Sequence, residues 1–109
     1  MDLNALQATL RQFADDRDWH QFHTPKNLAT ALMVEAAELA EIFQWMTPEQ
    51  SLNAHRDPAQ HEHISDELAD VLLYLLQIAD KTGIDLNRAV SRKLVKNAEK
   101  HPARRPASP

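Results

Sequence analysis

Apolar residues recur at helical spacing along most of the chain, and the breaks between the periodic stretches carry helix-start and helix-stop residues. Leu3, Leu6, Leu10 and Phe13 recur every three or four positions, which predicts a first helix over 3–17. The pattern breaks over 18–24, a segment that holds Trp19, Phe22 and His23. Thr24-Pro25 then reads as a helix start, threonine as the N-cap and proline in the first turn, where its missing N–H is no loss. The helix it opens is expected to reach residue 45. Thr47-Pro48-Glu49-Gln50 repeats the signal, with Thr47 and Gln50 spaced for a capping box, and predicts a short helical turn ending near Arg56-Asp57-Pro58. A third helix is expected over 59–81 with Gly83 as its C-terminal cap, and a fourth from about residue 85 to just before Pro102. The chain thus reads as all-α: four helices and one short helical turn in a single domain over 1–102, with a loosely packed tail over 103–109.

The second half of the 59–81 helix is apolar on nearly every side: Val71, Leu72, Leu73, Leu75, Leu76, Ile78 and Ala79. A helix apolar all round is a central one. Three other helices from one chain can hardly surround it, so a bundle completed by a second subunit is expected.

Composition narrows the function classes. A chain of 109 residues suits one domain. Its single glycine, Gly83, speaks against a multi-hairpin β fold and removes the Gly-rich phosphate cradles of P-loop and Rossmann proteins. The formal net charge of -4 argues against a general nucleic-acid binder. With no cysteine there is neither a disulfide framework nor a thiolate metal site. No basic-then-apolar leader opens the chain and no stretch approaches about 18 apolar residues, so a cytoplasmic protein without a membrane segment is the expectation.

The informative feature is acid where a core should be. With Glu35 set at zero and about 100° per residue, Leu28, Leu32, Leu39, Ile42 and Met46 fall within about 60° of it, and so does Glu38. Glu41 falls about 120° away and is more peripheral. Around Glu67 the same construction gathers Ile64, Asp70, Val71, Tyr74 and Ile78. The short connection makes the two helices antiparallel neighbours, so Glu35 and Glu38 can face Glu67 and Asp70. Carboxylates crowded indoors cannot all stay ionised unless something compensates them. A hard divalent cation does so, and a donor set of oxygens without His or Cys points to magnesium, or manganese in its place, rather than zinc. Either acid pair alone is what exposed helix faces commonly carry, and on periodicity alone a solvated acidic face stays open beside a metal site. A carboxylate-bridged di-iron bundle also projects acids inward, but that motif wants Glu-x-x-His, which neither pair offers. A non-catalytic oligomeric helical module that binds nucleotides or regulates through its acidic cleft is the alternative outside enzymes.

Glu35-x-x-Glu38, followed 29 residues after Glu38 by Glu67-x-x-Asp70, resembles the motif of the MazG-like nucleotide pyrophosphohydrolases of the all-α NTP pyrophosphatase superfamily. The surrounding text is similar too: Arg17-Asp18-Trp19 with Phe22-His23, Asn27-Leu28, Glu38 through Trp45, Asp66 through Leu72 with Tyr74-Leu75, and Lys93-x-x-x-Asn97-x-x-Lys100-His101-Pro102. The likeness covers about 3–102 and is strongest to the dCTP pyrophosphatase branch. It implies magnesium held by Glu35, Glu38, Glu67 and Asp70, which would also be the catalytic groups. It implies a nucleobase pocket using Trp19, His23 and Trp45 with help from Phe22, and phosphate or sugar contacts from Tyr74, Lys93 and Asn97. It further implies a dimer or tetramer whose sites are built partly from neighbouring subunits. The implied reaction cleaves a nucleoside triphosphate, dCTP or a modified pyrimidine or other deoxynucleotide, to monophosphate and pyrophosphate, and so cleans the nucleotide pool. Water would attack the α-phosphorus, with Glu38 as the candidate to take its proton. His101 departs from the family, where tyrosine often precedes the proline. Each role has a plainer reading beside it. Trp19 and Phe22 could cap the core, Trp45 could pack at a subunit interface, and His23 could be a polar loop residue. His61 and His63 would decorate a helix start, and Lys93 could be solvated.

Overall fold

The computed structural model describes residues 1–104, and among these every regular element is helical. The five α-helices are α1 (Leu3–Asp16), α2 (Pro25–Phe43), α3 (Pro48–Asn53), α4 (Pro58–Thr82) and α5 (Leu86–Lys100). Single 3-10 turns follow α1 (His20–Phe22) and α3 (Ala54–Arg56).

Each α-helix starts on a short polar side chain that accepts an N–H from the first turn: Asp2 from Ala5, Thr24 from Asn27, Thr47 from Gln50, Asp57 from Gln60 and Asp85 from Arg88. Thr47 and Gln50 form the full capping box. α4 begins at Pro58, one residue before the expected start, because Asp57-Pro58 repeats the device of Thr24-Pro25. It ends on Gly83 at φ 68°, where the Gly83 and Ile84 amides donate to the carbonyls of Asp80 and Ala79. α2 stops at Phe43, two residues short of expectation, in a turn closed by the Met46 amide on the Phe43 carbonyl.

α4 is the axis of the molecule. α2 packs along it, and α1 packs against it more sparingly. Leu28 of α2 and Leu76 of α4 are the fully buried large side chains among the described residues, and Ala14 of α1 and Ala79 of α4 are buried as well. The Gln7 side chain donates to the Leu76 carbonyl at 3.0 Å, and Arg11 pairs with Asp80 at 3.5 Å, pinning α1 to the C-terminal half of α4. α5 makes only marginal contact with the rest, and its Val90, Leu94 and Val95 are exposed.

This single chain is far from closed. Its radius of gyration is 18.0 Å, against about 13 Å for a compact domain of this length. Its accessible surface is 8700 Å², against roughly 6,100 Å² for a folded monomer of this mass. Part of the surplus is apolar: Met33 and Val34 on α2, Leu68 and Leu75 on α4, and the α5 residues just named. The central helix expected from sequence is central, yet one side of it stays bare within the protomer. Among the described residues no helix is long and apolar enough to cross a membrane. Residues 102–104 are exposed and without regular structure, and the remainder of the expected tail lies outside the described residues.

Candidate active site

The α2–α4 interface brings the acids together. One carboxylate oxygen each of Glu35, Glu38 and Glu67 lies within 4.8 Å of the others. Glu67 is buried at 9% exposure, and Glu38 is the outermost of the three. Oε2 of Glu35 and Oε2 of Glu67 are buried without a hydrogen-bond partner. His63, one turn before Glu67, places its Nε2 3.7 Å from Glu67 Oε1. His63 stands at the i,i+4 spacing at which helical side chains meet, so it borders the acid cluster and does more than decorate the helix start.

An ionised carboxylate has no proton to donate. Two of them facing across a helix interface therefore hold either a shared proton or a cation. Without a cation the Glu35 carboxyl is pushed up from 4.5 to about 7, first by the hydrogen bond it shares with Glu67, then by burial, then by the charges of Glu38, Asp70 and Glu67. Buried oxygens lacking donors, in a set made of carboxylates alone, suit a hard divalent cation.

Asp70 stands outside this triad. It adds its charge to Glu35 and lines a neighbouring cleft instead. The expected set of four indoor acids is therefore three converging groups and a fourth at the boundary with the cleft. That cleft has a volume of about 330 Å³ and is walled by Leu10, Phe13 and Ala14 of α1, by Trp19 and His23, and by Asp70, Leu73, Tyr74 and Gln77 of α4. Most of its lining is apolar, with a few polar tips, the usual make-up of a small-molecule site.

The aromatic wall is ordered by its own contacts. The Phe13 ring meets Trp19 edge-on at 5.7 Å, and Trp19 lies 6.0 Å from the His23 ring. The Arg17 guanidinium sits 3.4 Å over the Phe13 ring centre and donates to the Phe13 carbonyl. Asp18 reverses the chain at φ 54°, a left-handed conformation that aspartate tolerates better than most side chains. Burial first, then the neighbouring Lys81 and His20, lower the His23 ring from its ordinary value, which favours the neutral ring with one donor and one acceptor.

Of the residues singled out in the sequence, Trp19, His23, Asp70 and Tyr74 meet in the cleft beside Glu35, Glu38 and Glu67. Four do not line it in the protomer. Phe22 points outward, and Trp45 is 88% exposed because α2 ends before reaching it. Lys93 and Asn97 are exposed on α5, away from the cleft. Glu41 borders an open groove that also takes in Glu38 of the triad, with Gln60 and His63. Leu10, Leu73 and Gln77 also line the cleft, and only the packing of α1 against α4, which periodicity does not reveal, puts them there.

Residues 30–106 match the MazG-like family. The chain is 41% identical over 101 residues to dCTP pyrophosphatase 1 of Rattus norvegicus, covering 93% of this chain and 58% of that protein. It is 41% identical over 102 residues to dCTP pyrophosphatase 1 of Homo sapiens, covering 94% of this chain and 58% of that one. The chain therefore spans less than two thirds of the length of these curated relatives. Its fold matches the crystal structure of a pyrophosphatase from Archaeoglobus fulgidus, with a TM-score of 0.84, 40% identity and 92% of both chains covered.

Proposed function

This chain belongs to the MazG-like family, and from that premise we propose that it is a nucleoside triphosphate pyrophosphohydrolase, acting on dCTP or a modified pyrimidine or other deoxynucleotide and releasing the monophosphate and pyrophosphate. The observation that carries this reading is a side-by-side pair of features: a carboxylate triad with two unsatisfied buried oxygens, and an aromatic cleft that adjoins it through Asp70, one turn from Glu67 on α4. The dCTP preference follows the curated relatives.

Glu35, Glu38 and Glu67, with Asp70, would hold magnesium, or manganese in its place. Once bound, such an ion neutralises charge and acts as a Lewis acid toward triphosphate oxygens. The chain's own groups do the rest. Trp19 offers a half-exposed ring face for the base to stack on. The neutral His23 ring offers a donor and an acceptor to the base edge. The Tyr74 hydroxyl donates to a phosphate or sugar oxygen. Glu38, outermost of the triad, accepts the proton of the water that attacks the α-phosphorus as pyrophosphate departs.

The functional unit is a homo-oligomer in this reading. The apolar surplus on α2, α4 and α5 supports it, because a monomer rarely leaves so much aliphatic surface wet. Phe22, Trp45, Lys93 and Asn97, which do not reach the cleft of their own protomer, then serve the site of a neighbour.

The test is a panel of canonical and modified nucleoside triphosphates with magnesium, read as pyrophosphate release. The expected result is metal-dependent pyrophosphate formation with dCTP or a related pyrimidine among the best substrates. Release of orthophosphate, or no product from any nucleotide, contradicts the proposal.

A further inference from the structure

His20 touches two helices at once. Its Nδ1 lies 3.0 Å from Nζ of Lys81 on α4, and its Nε2 lies 2.7 Å from Oδ1 of Asp15 on α1. An ammonium only donates and an ionised carboxylate only accepts. The two contacts together therefore fix the ring: Nδ1 is bare and accepts from Lys81, while Nε2 carries the proton and donates to Asp15. The result is a polar bridge from α1 to α4 through the 3-10 turn His20–Phe22.

That turn joins two residues that wall the cleft. Trp19 precedes it and His23 follows it, and both line the cleft, whereas His20 does not. His20 instead borders a water-sized cavity behind the wall, with Arg11, Gln77, Asp80 and Lys81. Few other contacts hold the turn. The Trp19 amide donates to the Ala14 carbonyl, and the Asn27 side chain donates to the Phe22 carbonyl. The turn is entered through Asp18, whose left-handed conformation at φ 54° aspartate tolerates better than most side chains.

We propose that His20 is a positioning residue: bridged between Lys81 and Asp15, it holds Trp19 and His23 at the separation that lets a base enter between them and α4, without touching the base itself. This rests on the reading of the cleft as the base pocket. The role is one of binding geometry, so it acts on substrate affinity and leaves the chemical step alone.

Steady-state kinetics with dCTP and magnesium on the full chain test it. His20→Ala and Lys81→Met are expected to raise KM about tenfold, the scale of a lost charge-assisted hydrogen bond, with kcat within about twofold of the parent. His20→Gln, whose amide offers one acceptor and one donor, is expected to keep KM within about threefold. An unchanged KM in His20→Ala, or a fall in kcat at constant KM, overturns the proposal. A second readout needs no turnover: the indole N–H resonance of Trp19, identified by its loss in Trp19→Phe. It should broaden or split in His20→Ala and Lys81→Met and return to a single sharp signal in His20→Gln. A resonance identical in all of these overturns the proposal. Failure of the parent protein to hydrolyse any nucleotide, with the resonance still responding, counts against the base pocket and leaves the bridge standing.

Discussion

Glu35 and Glu67 meet between α2 and α4, each with one buried carboxylate oxygen that no donor reaches. Without a cation the conflict is relieved by a proton, and the Glu35 carboxyl titrates at about 7 instead of 4.5. Because the folded value is the higher one, the folded state binds this proton more tightly than the unfolded chain does. The stability it contributes is complete below about pH 4 and is lost as pH rises toward about 7. In thermal unfolding followed by circular dichroism, the metal-free protein should lose stability across that window more steeply than its Glu35→Gln variant. Magnesium should stabilise the parent more at about pH 8 than at about pH 5, since cation and proton compete for the same oxygens. A Glu35→Gln variant with the parent's pH dependence contradicts this account of the pair.

Removing Glu67 should separate stability from function. Glu67→Gln supplies Glu35 with an N–H donor and removes a buried charge, so the metal-free variant is expected to melt no lower than the parent. Turnover should nevertheless fall by at least about a hundredfold. Glu35→Ala and Glu67→Ala should likewise lose turnover while far-UV circular dichroism reports intact helices. Normal activity in either alanine variant would remove the carboxylates from the mechanism.

Trp19 is the exposed face of the aromatic wall, with Phe13 and His23 bracing it. A base stacked on an aromatic ring gains roughly 1–3 kcal/mol. Trp19→Ala should therefore raise KM about ten- to hundredfold, with a smaller change in kcat. The outcome against it is a KM near the parent value, which would place the base elsewhere.

Leu94 is exposed on α5 and makes no contribution to the protomer's buried core. Sedimentation should find the parent chain at a multiple of 12.4 kDa. Leu94→Glu should shift it toward the single chain and lower activity, with helix content retained. A parent protein that sediments as one chain, or full activity in a monomeric variant, contradicts the shared site.

Much of this architecture is legible in the residues. Helix starts are written in short polar side chains followed by proline, and the same device at Asp57-Pro58 sets the true start of α4. The glycine at 83 closes that helix in the one conformation where its lack of a Cβ matters. The facing of Glu35 and Glu38 toward Glu67 follows from a period of 3.6 residues, a local property, together with the packing of α2 along α4 after the chain returns through α3. Asp70 shares that face but is rotated toward α1, so it falls at the cleft rather than in the triad. What periodicity does not contain is the packing of α1 against α4, which brings Leu10, Leu73 and Gln77 to one cleft. The bridge through His20 likewise joins positions 61 residues apart. Phe22, Trp45, Lys93 and Asn97 owe their expected roles to a likeness between sequences, and within one chain they are exposed and do not line the cleft.

The central claim is that the acids of α2 and α4 grip a divalent cation. Manganese, which shares magnesium's taste for oxygen ligands, can be titrated into the protein and followed by electron paramagnetic resonance. The account predicts saturable binding to the parent chain, weakened at least about tenfold in both Glu35→Gln and Glu67→Gln. Undiminished binding in those two variants, or none in the parent, contradicts it.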